Sequence, residues 1–212
     1  MKTAKTKSIV FLLVSAFMIC SFAQQEPPIM NKVRKKYRAD KTMKTAFELS
    51  IYWKIRDREE KKNGHLFLAP DNKFRVELGD AVWVCDGRTW WQYSKATEQV
   101  IIKYLLDVDL SHHPTRILTA HLNERKFTLK EKDGAYTVVD AVIDPEKEKS
   151  HASTIRLWID SKSGIIHKLM VVDTKGNIST YTFKKTRIGE QIPEEMFRFE
   201  VPKDAKILDM RE

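Results

Sequence analysis

Residues 45–56 alternate without a break. Phe47, Leu49, Ile51, Trp53 and Ile55 take the odd positions, and Glu48, Ser50, Tyr52, Lys54 and Arg56 take the even ones. A period of two marks a β-strand with one dry face and one wet face. Shorter runs of the same kind follow at 66–69, 73–78, 82–85, 89–93 and 100–104. Between them stand turn signals: Lys62-Asn63-Gly64, Ala69-Pro70-Asp71-Asn72, Gly79-Asp80 and Asp86-Gly87. Asn-Gly and Asp-Gly favour tight hairpins because glycine reaches positive φ freely. The pattern predicts an antiparallel meander. After a break it resumes at 125–131, 135–140, 154–160, 165–173 and 178–185, with a charged loop at 141–150. A strongly twisted sheet of about ten strands curls rather than lying flat.

Two segments read as helical. In 29–37, Ile29, Val33 and Tyr37 fall on one face and Lys32, Arg34, Lys35 and Lys36 on the other. In 106–123, Pro114 can open a helix, and Ile117, Leu118, His121 and Leu122 line one side. These are the only elements the pattern offers to cover a curled sheet. The expected fold is therefore α+β: a single curled antiparallel sheet, an incomplete β-barrel, with short helices as a lid over the concave face. Four of the five tryptophans (Trp53, Trp83, Trp90 and Trp91) lie in the first meander. That aromatic excess favours a lined hollow over an ordinary filled helix-on-sheet core. The expected lining is Phe47, Leu49, Ile51, Trp53, Phe74, Val76, Trp83 and Trp91, with Ile29, Val33, Ile117 and Leu118 from the lid. The inward face of strands after the first is open, because a slip of one residue inverts it.

The ends of the chain say where it works. Lys2, Lys5 and Lys7 precede an apolar stretch at 9–20, which is too short to span a bilayer, a task for about 20 residues. Ser21-Phe22-Ala23 supplies a signal peptidase pattern. Residues 1–23 are expected to be a signal peptide cleaved after Ala23, and 24–212 one exported domain. A lipoprotein acylated at Cys20 is the rival, but Phe17, Met18 and Ile19 are bulky for that processing. Cys85 then stands alone, so no internal disulfide is expected and the residue reads as a buried small apolar group.

The formal charge of +9 becomes +6 without the leader lysines. Its basic residues are spread out, which argues against nucleic acid as a partner and for a soluble surface. Asp107, Asp109, His112 and His113 have irregular loop spacing and read as solvated rather than as metal ligands. No nucleophile elbow and no phosphate-binding glycine loop is present. No catalytic residue and no cofactor is expected.

Three stretches together resemble a known family. They are Gly64-His-Leu-Phe-Leu-Ala-Pro-Asp-Asn-Lys-Phe-Arg, Val84-Cys-Asp-Gly-Arg-Thr-Trp-Trp-Gln-Tyr followed by Glu98-Gln-Val, and the tail Phe197-Arg-Phe-Glu-Val-Pro-Lys-Asp-Ala. In this order they are similar to the outer-membrane lipoprotein carrier proteins of the LolA type. The resemblance implies a half-barrel with a helical lid, monomeric, that carries acylated lipoproteins through the periplasm. It also implies an inner-membrane donor transporter and an outer-membrane acceptor. The family typically has a basic residue, often arginine, just before the proline of the third strand, where it is implicated in latching the lid. Here that position is Ala69, so an arginine latch there is not expected. Two other classes stand beside this reading: an exported lipid-binding or lipid-sensing module on the same fold, and a lipid or cell-wall hydrolase. The hydrolase would need a nucleophile or carboxylate pair that the expected lining lacks.

Overall fold

The alternation at 45–51 becomes strand β1 (Met43–Trp53), in which Met43, Thr45, Phe47 and Leu49 are buried and their even neighbours are not. Eleven more strands follow in a computed structural model, which describes residues 25–38, 40–109, 116, 118, 122–143 and 152–211. They are β2 (Arg58–Ala69), β3 (Lys73–Leu78), β4 (Ala81–Asp86), β5 (Thr89–Ser94), β6 (Gln99–Tyr104), β7 (Phe127–Asp133), β8 (Tyr136–Ala141), β9 (Ala152–Asp160), β10 (Ile166–Asp173), β11 (Ile178–Ile188) and β12 (Lys206–Asp209). Helix α1 spans Ile29–Lys36, and a helical turn, α2, spans Leu122–Glu124.

All twelve strands form one sheet, in the order β12-β6-β5-β4-β3-β2-β1-β11-β10-β9-β8-β7. Its neighbours are antiparallel except β12, which runs parallel to β6. The first and last strands of that order do not pair, so the curled sheet stays open. Each half is a meander, and β1 pairs with β11 to join the two. The connection from β6 to β7 must therefore pass from one side of the sheet to the other. Within that connection Leu118 and Leu122 are fully buried, in the apolar cluster of the sheet.

Two expectations are corrected. Lys62-Asn63-Gly64 is not a turn; it lies inside β2, opposite Phe47 to Leu49 of β1. Gly64 is required there for room, since a Cβ would collide with the Glu77 carbonyl oxygen and stand 2.7 Å from Phe47 Cζ. The hairpin instead reverses at 54–57, where Asp57 takes φ 46. The tail also does more than the sequence indicated. Its 3₁₀ turn, Glu194–Phe197, is tied to β3 by Lys73 Nζ to Glu194 Oε2 at 2.7 Å. Phe197 is buried, and Phe199 packs on Trp91 and Tyr93 with ring centroids 6.4 and 6.0 Å apart. The tail thus covers the outer face of β4–β6, where Val82, Val84, Val100 and Ile102 are buried. The lid helices are not the only cover of the sheet, and part of the aromatic excess belongs to this second layer.

Candidate functional site: the concave face

Strand pairing decides which side chains share the concave face. Phe47 and Leu49 of β1 stand opposite Phe183 and Tyr181 of β11, and Leu169 of β10 faces Tyr181 and Leu157. On the other side, Phe74 pairs with Cys85 and Val76 with Trp83. Cys85 then pairs with Trp90. One continuous apolar cluster results. It holds Phe47, Leu49, Phe74 and Val76, with Ile51 and Trp83 half-buried against it. The rings of Phe47, Tyr181 and Phe183 meet in the middle, with centroids 5.8 to 6.5 Å apart. Such pairs favour tilted or offset contact. Burial pushes the Tyr181 phenol up to about 12.

From the lid, Val33 and Leu118 are buried in this cluster and Ile29 packs at its margin. Ile117 lies outside the described residues, as do His112, His113 and the leader at 1–23. Sequence periodicity missed Met30, which is fully buried; it stands three residues before Val33, a helical spacing that could have found it. Also missed were Ile155, Leu157 and Ile159, although 154–160 alternates visibly. Two expected lining residues are elsewhere. Trp53 stands at the end of β1 and is 36% exposed. Trp91 pairs with Val84 and stacks on Phe199, on the outer face. The Cys85–Trp90 pairing turns Trp90, not Trp91, inward.

Among the described residues, Met30, Val33, Tyr37, Leu118 and Leu122 are buried in this cluster. The cavity against it, lined by Tyr37, Met43, Leu68, Ala69, Leu118 and Ile188, measures about 20 Å³, room for about one water. A larger groove of about 460 Å³ lies on the outer face, among His65, Arg75, Glu77, Tyr93, Lys95 and Phe199. It is lined by the charged side chains of Arg75, Glu77 and Lys95 and opens to solvent, so it is ill suited to shield hydrocarbon.

Polar contacts hold the lid at its margin. Arg34 of α1 donates from Nε to the Leu122 carbonyl at 2.8 Å and from Nη2 to the Arg125 carbonyl at 3.0 Å. Glu26 accepts from both terminal nitrogens of Arg34 at 2.7 Å and from the Phe127 N–H at 2.9 Å. One guanidinium thus ties α1 to α2, and one carboxylate ties it to β7. The Arg34 hydrogen bonds hold the Glu26 carboxyl below its ordinary value of 4.5; burial opposes them and the Phe127 N–H adds to them. Tyr37 closes the other end of α1: its buried hydroxyl accepts the Ile166 N–H at 2.9 Å. No arginine was singled out for this duty in the sequence, because it sits on the polar side of an amphipathic helix among three lysines.

This face presents aliphatic and aromatic side chains. Cys85, the one thiol in it, is fully buried, and that burial pushes it up to about 11. A thiol so placed stays protonated at neutral pH and is a poor nucleophile.

Known proteins agree with the architecture. Over 131 residues the chain is 28% identical to an outer-membrane lipoprotein carrier protein of Pseudomonas entomophila, covering 61% of each. Over 154 residues it is 25% identical to the protein of the same name from Azotobacter vinelandii, covering 70% of this chain and 72% of that one. The match to the Pseudomonas protein thus spans about three fifths of that protein's length. A crystal structure of an uncharacterized conserved protein from Thermus thermophilus superimposes with a TM-score of 0.53 at 16% identity, covering 85% of this chain and 96% of the other. The model of one family, the outer membrane lipoprotein carrier protein LolA, matches residues 39–200. That match takes in the whole sheet except β12, and with it the concave face: the chain belongs to the LolA family.

Proposed function

We propose that this protein is a periplasmic carrier that shields the acyl chains of lipoproteins on its concave face and passes them from the inner to the outer membrane. The observation that carries the reading is the roof. Apolar side chains of α1 and, from the β6–β7 connection, Leu118 and Leu122 are buried in the apolar cluster of the sheet, and Arg34, Glu26 and Tyr37 bond α1 at its margin. Names of relatives that carry lipoproteins support the same cargo.

Energetics favour exchange between roof and cargo. Burying an acyl chain is worth about 0.8 kcal/mol per CH₂, so a chain of about 16 carbons is worth on the order of 10 kcal/mol. Burying a large apolar side chain is worth about 1.5–3 kcal/mol. Five lid residues, Met30, Val33, Tyr37, Leu118 and Leu122, therefore forfeit a comparable amount when they swing out. Loading swaps one set of apolar contacts for another, net affinity stays modest, and the cargo can leave without hydrolysis. The reading is a binding function rather than a catalytic one. It implies a donor at the inner membrane, an acceptor at the outer membrane and a monomer in transit.

The test is a depletion in the native cell followed by fractionation of the envelope. Lipoproteins retained in the inner membrane support the carrier. Normal lipoprotein sorting, with lipids but no lipoproteins bound to the purified protein, would move it to the lipid-binding class.

A further inference from the structure

The apolar stripe of β1 runs out of the concave face into solvent. Exposure rises from 2% at Phe47 and 4% at Leu49, through half-buried Ile51, to 36% at Trp53. Ile55, in the turn that follows, is 86% exposed. Trp53 and Ile55 thus place two large apolar side chains in solvent two residues apart, in a stretch otherwise rich in charge.

The tip is built rather than loose. Tyr52 donates its hydroxyl to Asp57 Oδ1 at 2.8 Å, across the turn. The Lys54 N–H donates to Asn177 Oδ1 at 3.1 Å, which fastens the tip to the β10–β11 turn. The Lys54 stem lies against Gly176, where a Cβ would stand 2.6 Å from Lys54 Cδ. The tip also lies at the far end of the sheet from the seat of α1. Tyr52 pairs with Ile178 at the start of β11, whereas Tyr37 is bonded at Ile166, where β10 begins. The stripe therefore leaves the concave face at the end that α1 does not occupy.

Cations surround the apolar pair. Residues 53–62 hold five basic side chains (Lys54, Arg56, Arg58, Lys61 and Lys62) against Asp57, Glu59 and Glu60. Each of the three acids is engaged within the hairpin: Asp57 by Tyr52, Glu59 by Ser50 and Lys61, Glu60 by Arg58. Among the described residues, Lys54 and Arg56, which flank Ile55, sit in no ion pair with them.

We propose that this hairpin tip docks the protein on the anionic surface of a lipid bilayer. Trp53 and Ile55 enter the boundary between headgroups and acyl chains, and Lys54 and Arg56 lie among the phosphates. Tryptophan is favoured at that depth, and basic residues beside an anionic leaflet are each worth about 1 kcal/mol. The apolar surface of two side chains suits a bilayer better than a protein, since a stable protein interface takes about 800 Å² from each partner. Docking places the end of the β1 stripe at the membrane, so a chain leaving the bilayer would meet Trp53 and then Ile51.

The test is sedimentation of the signal-cleaved chain with vesicles of phosphatidylethanolamine and phosphatidylglycerol, beside vesicles of phosphatidylcholine alone. The expected result is binding to the anionic vesicles that weakens as salt rises. Ile55→Asp and Trp53→Ser each lower it at least about tenfold, equivalent to about 1.4 kcal/mol. Arg56→Glu lowers it and flattens the salt dependence. Ile55 and Arg56 are exposed, so these two variants keep the fold, which a thermal melt checks. Equal binding by Ile55→Asp and wild type overturns the proposal and assigns the lipid contact to the concave face. Equal binding to the neutral vesicles overturns the electrostatic half. No binding to protein-free vesicles overturns it whole and leaves the tip as a contact for protein.

Discussion

Arg34 and Glu26 tie α1 to α2 and β7, so in the proposed carrier they govern how readily the roof lifts. Removing the guanidinium in Arg34→Ala strips two carbonyls, those of Leu122 and Arg125, of their donor and leaves Glu26 with one fewer partner. Hydrogen bonds to charged groups contribute about 1.5–3 kcal/mol each. Uptake of a fluorescent fatty-acid probe by Arg34→Ala should therefore rise several-fold; unchanged uptake would mean that the apolar contacts alone hold the lid. The same pair gives a pH dependence. The folded Glu26 carboxyl titrates below its unfolded counterpart, so its contribution is complete above about pH 4.5 and is lost as pH falls through the lower folded value. Hydrogen exchange at the Phe127 amide should quicken in that acid window in the wild type and show no such step in Glu26→Gln. Tyr37→Phe orphans the buried Ile166 N–H, a loss of about 1–3 kcal/mol readable as a lowered denaturation midpoint. Cys85, buried and held at about 11, should resist thiol reagents at pH 8 until the chain is unfolded.

Strand β1 is the element on which the concave face depends. Leu49→Glu or Ile51→Glu places a carboxylate among hydrocarbon side chains, and each variant should abolish binding of an acylated peptide while the far-UV spectrum shows an intact sheet. Normal binding by both would take β1 out of the site. This strand was also the most legible, because its dry face meets a full core and its wet face meets water, so the period of two is unbroken. Legibility failed where that contrast was lost. Residues 58–63 of β2 carry charges on both faces, so no alternation marked a strand there and Lys62-Asn63-Gly64 read as a turn. The glycine there relieves a contact with Phe47 rather than making a turn. Trp91 was misplaced because β4 and β5 are apolar on both faces, with a core on one side and the tail on the other. Periodicity cannot orient such a strand; the pairing of Cys85 with Trp90 does. β12 is short, exposed along its whole length and parallel to its neighbour, so neither pattern nor turn announced it.

For the molecule as a whole, the expected open sheet and apolar face are present, and the described lid residues are buried in the same cluster as that face. In the proposed carrier, lid side chains on this face serve the empty protein in water, since a large exposed apolar face favours aggregation. The arrangement also makes a demand: cargo and lid side chains must occupy the same place in turn. A photo-reactive amino acid installed at Ile51, on the concave face, and separately at His65, on the outer face, reads this directly in living cells. Illumination should cross-link acylated lipoproteins to the Ile51 position and not to His65, and the adduct should vanish when the cargo's acylated cysteine is replaced. Cross-links from His65 as strong as those from Ile51, or adducts at Ile51 that persist with unacylated cargo, would show that the concave face is not where the lipid travels.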